Sequence, residues 1–180
     1  MRIEHAPLVP GLVLRLRAIE AGDIEAWYAY LRLPHVVEHT SWSLASAEDL
    51  RPIVAWYEAA DADSAIRFAV MEGDALIGTI GFHTISTRNC TAEIAYDFHP
   101  DWWGRGIATV CCRAVADWGV ATRGFVRVQA TTLDTNLKSV AVLERSGFAA
   151  EGLLRNYRMV RGVPRNFRLF SKVGQWSTMP

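Results

Sequence analysis

Two glycines one residue apart, Gly104 and Gly106, join a stretch that alternates like a strand to one spaced like a helix. No other feature constrains the chain as much. Upstream, Thr91 to Phe98 reads as a strand that runs into His99-Pro100. Downstream, Ile107, Val110, Cys111, Ala114 and Trp118 fall on one face of a helix that ends near Gly124. Glycines between them let successive backbone N–H groups turn the same way and let a ligand approach without meeting a Cβ. The first amides of the helix lack internal partners and favour an anion. The junction is therefore either a tight strand-to-helix turn or a phosphate cradle to which Arg105 adds charge. Two nucleotide loops are excluded. A dinucleotide fingerprint needs Gly or Ala where Thr109 stands, and a P-loop needs Gly-Lys-Ser/Thr, which the loop lacks.

The rest of the chain supplies elements on both sides. Leu12 to Ile19 alternates as a half-buried strand, and Asp23 is placed to cap a helix to about Leu31, stopped by Pro34. Ser46 opens a second helix with Leu50, Ile53, Val54 and Tyr57 at helical spacing. Ile66 to Glu72 and Ala75 to Thr84 form a hairpin about Gly73-Asp74. After the long helix come a strand from Val126 to Thr132 and a short helix from Asn136 to Arg145, closed by Gly147. Two strands follow, Ala149 to Met159 and Asn166 to Val173. Seven strands and four helices, with a βαβ-like middle among antiparallel runs, predict an α+β fold around a mixed sheet. Trp27, Trp56 and Trp118 fall at core-facing positions.

The 180 residues contain no repeat or linker-like tract, so residues 1–180 read as one domain. Charge is balanced at 19 basic and 19 acidic residues, which gives no electrostatic case for nucleic acid or a membrane surface. No run approaches the ~20 apolar residues of a membrane span. Three cysteines without a Cys-x-x-Cys pair suit a reducing, cytoplasmic setting. His35-Val36-Val37-Glu38-His39 satisfies a zinc-peptidase string, yet Pro34 and Thr40-Ser41-Trp42 bracket it too closely for the helix that zinc would need. No metal is expected.

A second motif follows some thirty residues after the glycines: Asn136-Leu137-Lys138-Ser139 through Ser146-Gly147-Phe148. Asn-x-x-Ser leading to Gly-Phe, after a Gly-x-Gly/Ala loop, resembles the GNAT acetyltransferase superfamily. Trp103 ahead of the glycines resembles the branch of RimJ/RimL ribosomal-protein N-terminal acetyltransferases. The resemblance spans nearly the whole chain, including Leu12 to Arg15, Leu76 to Gly81, Ala92 to Tyr96 and Glu151 to Arg155. It implies a GNAT-like fold, a mixed and mostly antiparallel sheet of about seven strands splayed at the cofactor site and flanked by about four helices. It also implies acetyl-CoA as cosubstrate, a primary amine as acceptor and a homodimer.

The resemblance assigns roles to residues. Trp103, Gly104, Arg105, Gly106, Ile107, Ala108 and Thr109 would form the pyrophosphate loop. Phe98 would pair its backbone with the pantetheine arm, beside Asn136 and Ser139, and Lys138 or Arg145 would meet the adenosine phosphate. Asn136 is equally suited to cap its helix. An acceptor ammonium, with pKa near ~10, must lose a proton. Glu93 is the first choice of base, its alternative being a strand glutamate that faces solvent or pairs with an arginine. His83 is a second candidate base, and His83, Asp97, His39 and Trp42 are expected in the acceptor site, Asp97 to orient the ammonium. Leu143 stands where many relatives have a donor tyrosine, which moves the acid role to Ser139 and leaves a non-catalytic acyl-CoA-binding module as the rival reading. Asn166 replaces a frequent Asp.

Overall fold

The computed structural model describes residues 6–38, 40–59 and 65–174. Seven strands form one sheet in the order β1-β2-β3-β4-β5-β7-β6. They are β1 (Arg15–Ala18), β2 (Ile66–Glu72), β3 (Ala75–Ser86), β4 (Thr91–Phe98), β5 (Arg127–Leu133), β6 (Ala149–Val160) and β7 (Val163–Val173). Every neighbouring pair is antiparallel except β4 and β5. This is the mixed, mostly antiparallel α+β architecture that the alternation implied. Strand β1 is shorter than expected: pairing starts at Arg15 opposite Met71, and Val13 stands exposed.

Five helices flank the sheet rather than four: α1 (Ile24–Leu31), α2 (Pro34–Val37), α3 (Arg51–Glu58), α4 (Ile107–Arg123) and α5 (Leu137–Arg145). The additional one is the single turn α2. Pro34 does not merely stop α1, for it also occupies the first turn of α2, where its fixed φ suits a helix and its missing N–H costs nothing. Asp23 sits at the N-cap position of α1 but spends its carboxylate on Arg17 and on the N–H of Glu20.

Helices α1 to α3 and the turn before α3 enclose one apolar cluster with Trp27, Tyr30, Leu31, Leu50 and Val54. Helices α4 and α5 cover the other face, where Phe68, Ile80, Phe82, Ile94, Phe98, Val128 and Phe170 pack. The buried stripe of α4 runs through Ile107, Cys111, Cys112, Val115, Ala116 and Gly119; Ile107 and Cys111 are as expected and Trp118 packs on Phe68 and Phe82, while Val110 and Ala114 are only partly buried. Trp56 also departs from expectation: it is 48% exposed and stacks on Tyr57 rather than entering the core. Among the described residues no helix is long and apolar enough to cross a membrane.

One local feature positions the site. β4 and β5 pair only over Thr91 to Glu93 against Arg127 to Gln129. Beyond this the strands part, while β5 stays paired with β7 as far as Leu133. The sheet is therefore open at its middle.

Candidate active site

The gap between β4 and β5 leads into a cavity of about 830 Å³. Its near end is walled by Trp103, Gly104, Gly106 and the first turn of α4. Tyr96, Phe98, Thr131, Thr132, Asn136 and Ser139 line its middle. Its far end reaches Thr40, Ser41, Trp42, His83 and Arg158. Elements far apart in sequence thus converge on one continuous space.

At the near end, Gly104 and Gly106 take φ of +75° and +77°, the left-handed region that non-glycine residues avoid. A Cβ at either would meet no atom within 4 Å, so the loop leaves open room at both glycines. Gly106 is the N-cap of α4, and no side chain caps that end. The amides of Ile107, Ala108 and Thr109 accordingly keep donors for an anion. Arg105 lies 5.8 Å from the Trp102 ring, and Lys138 Nζ lies 4.5 Å from the Trp103 ring. Arg145 lines the same end. Trp103 itself is a clamp: its indole N–H donates to the Phe98 carbonyl at 2.8 Å, and its ring meets His35 edge-on.

In the middle, the N–H of His99 bonds the carbonyl of Ile77. By the alternation of an antiparallel ladder, the backbone groups of Phe98 and Tyr96 then face away from β3, into the gap. Asn136 accepts the Ser139 N–H at 3.0 Å and lines the cavity, so it caps its helix and borders the site together. The Ser139 hydroxyl has no partner among the described residues, and the Ser139 carbonyl accepts the Tyr96 hydroxyl at 3.4 Å. Tyr96 is a cavity residue whose side chain sequence reasoning passed over. Burial, with Cys112 adding to it, pushes its phenol well above the ordinary value and keeps it protonated. Leu143 is buried against the cavity.

At the far end the two β4 carboxylates diverge. Asp97 does not offer itself to an ammonium: Trp27 Nε1 (2.9 Å), the Tyr30 hydroxyl (2.5 Å) and the Thr79 hydroxyl (3.0 Å) all donate to Oδ1, and Arg67 donates to Oδ2. Both ionic partners are nearly fully buried, and Arg67 also holds Thr79 and the Ala95 carbonyl. Glu93 lies behind the cavity wall. It accepts from Thr131 at 2.6 Å, Gln129 at 3.4 Å and Arg158 at 3.1 Å, and stands 3.4 Å from His83 Nε2. Burial alone would push its carboxyl up. The hydrogen bonds from His83 and Thr131 and the charges of His83 and Arg158 outweigh that and hold it at about 2. Glu93 is thus buried rather than facing solvent, and it pairs with Arg158.

His83 lines the cavity itself, with Nδ1 2.9 Å from the exposed Thr84 hydroxyl. Trp42 packs edge-on to Trp27 at the far wall, while His39 lies outside the described residues. The zinc-like string provides one helical turn and directs His35 toward Trp103. No group of three His, Cys, Asp or Glu able to hold a metal occurs among the described residues. Cys111 and Cys112 are buried, and burial pushes both thiols up to about 12, which leaves them unreactive. Asn166 joins Asp134 to the backbone of Asn156, a structural role.

A sheet opened over a glycine-lined helix start, with a cavity running through the opening, suits an elongated ligand with an anionic end. Comparison with known proteins fixes the family. Residues 13–149 match the acetyltransferase (GNAT) domain. The uncharacterized N-acetyltransferase YoaA of Bacillus subtilis is 30% identical over 173 residues, covering 93% of this chain and 97% of the relative. The ribosomal-protein-serine acetyltransferase of Escherichia coli is 27% identical over 106 residues, 59% of each chain. Among solved structures, the spermidine N-acetyltransferase of Vibrio cholerae, in complex with CoA and spermine, superposes with a TM-score of 0.79 at 21% identity, covering 89% of this chain and 95% of that one. The chain belongs to the GNAT acetyltransferase family and is an acetyltransferase.

Proposed function

We propose that the chain transfers acetyl from acetyl-CoA directly to a primary amine while both are bound. The observation that carries this reading is the single cavity, which joins the glycine cradle to His83 without a break. Acetyl-CoA supplies the activated acetyl group as a thioester. The amides of Ile107 to Thr109 and the backbone of Gly104 to Gly106 hold its pyrophosphate, with Lys138 and Arg145 near the adenosine end. The gap-facing backbone of Phe98 takes the pantetheine arm beside Asn136. The Tyr96 N–H donates to the carbonyl oxygen as negative charge develops there.

The acid–base set follows from the far end. A carboxyl held at about 2 is a poor proton acceptor at neutral pH, which moves the base from Glu93 to His83. Glu93 engages Nε2 and so orients the imidazole. His83 Nδ1 then takes the amine proton, directly or through the rotatable Thr84 hydroxyl. The nitrogen–carbon bond forms as the carbon–sulfur bond breaks; the departing sulfur takes a proton from the Ser139 hydroxyl, solvent returns a proton to that oxygen, and His83 gives the amine proton to solvent. Alignment of the two reactants carries much of the rate. Trp103 and the ribosomal-protein relative favour the RimJ/RimL branch, with a protein N-terminus or a small amine as acceptor.

Thiol release from acetyl-CoA with a neutral peptide amine, followed by mass spectrometry of the product, tests this. Intersecting initial-rate patterns and an about 100-fold fall in kcat for His83→Gln, with unchanged CoA affinity, are expected. CoA binding without any turnover would leave the non-catalytic acyl-CoA module.

A further inference from the structure

Among the described residues, the far end of the cavity has no lining carboxylate to spare. Asp97 is the one carboxylate among the described residues that lines it, and Arg67 and three other donors occupy both of its oxygens. Glu93, behind the wall, is matched by Arg158 and His83. A polycationic acceptor entering here would meet no unpaired anion in the described lining. It would meet Arg158 instead.

Arg158 belongs to the β6–β7 hairpin, whose other cations lie outside the cavity lining. After Glu151 the chain contains no Asp or Glu, while Arg155, Arg158, Arg161, Arg165, Arg168 and Lys172 follow. Balanced overall charge conceals this local excess. Arg165 is the cross-strand partner of Arg158, and directly opposed residues share a sheet face. Phe167, two residues along β7, lies on that face too and lines the cavity with Arg158. Arg158 already bonds Glu93 and stacks over Tyr157 and Phe167. Arg165 is exposed and makes no ion pair with the described residues. Glu93 accompanies Arg158, whereas Arg165 directly opposite has no anion of its own among the described residues, and like charges so opposed repel. The hairpin is also held at the mouth. Arg161, at its tip, donates to the carbonyls of Val37 and Thr40 on the opposite wall.

We infer that the acceptor is an amine carrying an anionic group, a carboxylate or phosphate, close to the reacting nitrogen, and that Arg165 together with Arg158 binds that group. The inference rests on the acetyl-transfer reading and narrows its acceptor. It sets this chain apart from a polyamine acetyltransferase despite the shared fold. The anion's source, a side chain near a peptide N-terminus or a free small acid, is read by separate arms of the test.

The test measures kcat/KM for acetyl-CoA-dependent thiol release at low ionic strength. The acceptors are matched peptides with acidic, neutral or basic residues after the first, together with free glutamate and spermidine. The acidic peptide, or glutamate, is expected to exceed the basic peptide and spermidine by about tenfold or more, with the advantage shrinking in salt. Arg165→Glu reduces or inverts the ratio of acidic to neutral acceptor, and Arg165→Lys restores most of it. Equal or better use of the basic peptide or spermidine by the wild type overturns the inference while leaving acetyl transfer intact, as does an unchanged ratio in Arg165→Glu. Failure of every acceptor, the neutral peptide included, removes the transfer reading and the inference with it.

Discussion

Asp97→Asn replaces one oxygen of a buried carboxylate with an NH₂ group and removes the charge opposite Arg67. The consequence follows from the four donors aimed at Asp97. An amide oxygen still accepts from Trp27, Tyr30 and Thr79, but its nitrogen then faces the Arg67 guanidinium donor to donor. Arg67 is 4% exposed, so it cannot turn to water. Breaking a buried pair from one side typically costs about 3–5 kcal/mol, because the remaining charge stays uncompensated. For a chain of 180 residues this corresponds to a fall in Tm of about 6–20 °C. Urea unfolding followed by fluorescence reads the loss directly. A double variant Asp97→Asn, Arg67→Met should recover part of it, since no charge is then stranded. A loss below about 1 kcal/mol would refute the argument. So would a variant of wild-type stability that shows only a raised acceptor KM, the behaviour of an ammonium ligand.

Gly106→Ala retains open space at the new Cβ but forces a left-handed φ on a residue with a side chain. A stability loss of about 1–2 kcal/mol is expected, with a disproportionate, roughly tenfold weakening of CoA by calorimetry. Glu93 supplies a pH dependence. Its folded pKa of about 2 lies below the ordinary 4.5, so its stabilising effect is complete above about 4.5 and is lost as pH falls toward 2. Urea midpoints should decline less steeply over that interval in Glu93→Gln than in the wild type, from a lower starting stability at neutral pH. Parallel slopes would contradict the assignment.

Where the sequence was legible, one local rule decided the outcome. β2 and β3 meet at Gly73, whose positive φ suits a tight hairpin, and the expected bounds of β2, β3 and β4 lie within two residues of those observed. α4 was legible in extent but only partly in rotation. Val110 to Cys112 and Ala114 to Ala116 are small or apolar on adjacent faces, and the contact with Phe82 and Phe125 at Gly119 chooses between them. Trp56 lies between Val54, which is buried, and Tyr57, and it stands 48% exposed because α3 buries only the side that packs on the α1–α3 cluster. The two β4 carboxylates were beyond local reasoning altogether. Both stand four residues apart on one strand face, and the partners that distinguish them, Arg67 and Arg158, come from 30 residues before Asp97 and 65 after Glu93. The arginine run in the last two strands was a readable signal that pointed to the second of these.

The opening of the sheet and the glycine cradle are two consequences of one arrangement, and Trp103 connects them. Where β4 leaves β5, the Phe98 carbonyl faces the gap with no strand to accept from. An unpaired backbone acceptor that is shielded from water costs about 1–3 kcal/mol. Trp103 removes that cost by donating its indole N–H across the turn, so β4 can end apart from β5 with its last carbonyl satisfied. The same ring is fixed by His35 from α2 and Lys138 from α5, which ties the loop to both walls of the cavity. A leading Gln or Arg would bring polar reach to this position but no planar face for two neighbours. The tryptophan therefore acts on the site through position: it holds Gly104 and Gly106 at the strand end where the sheet parts, and the cradle stays in line with the gap that leads to His83.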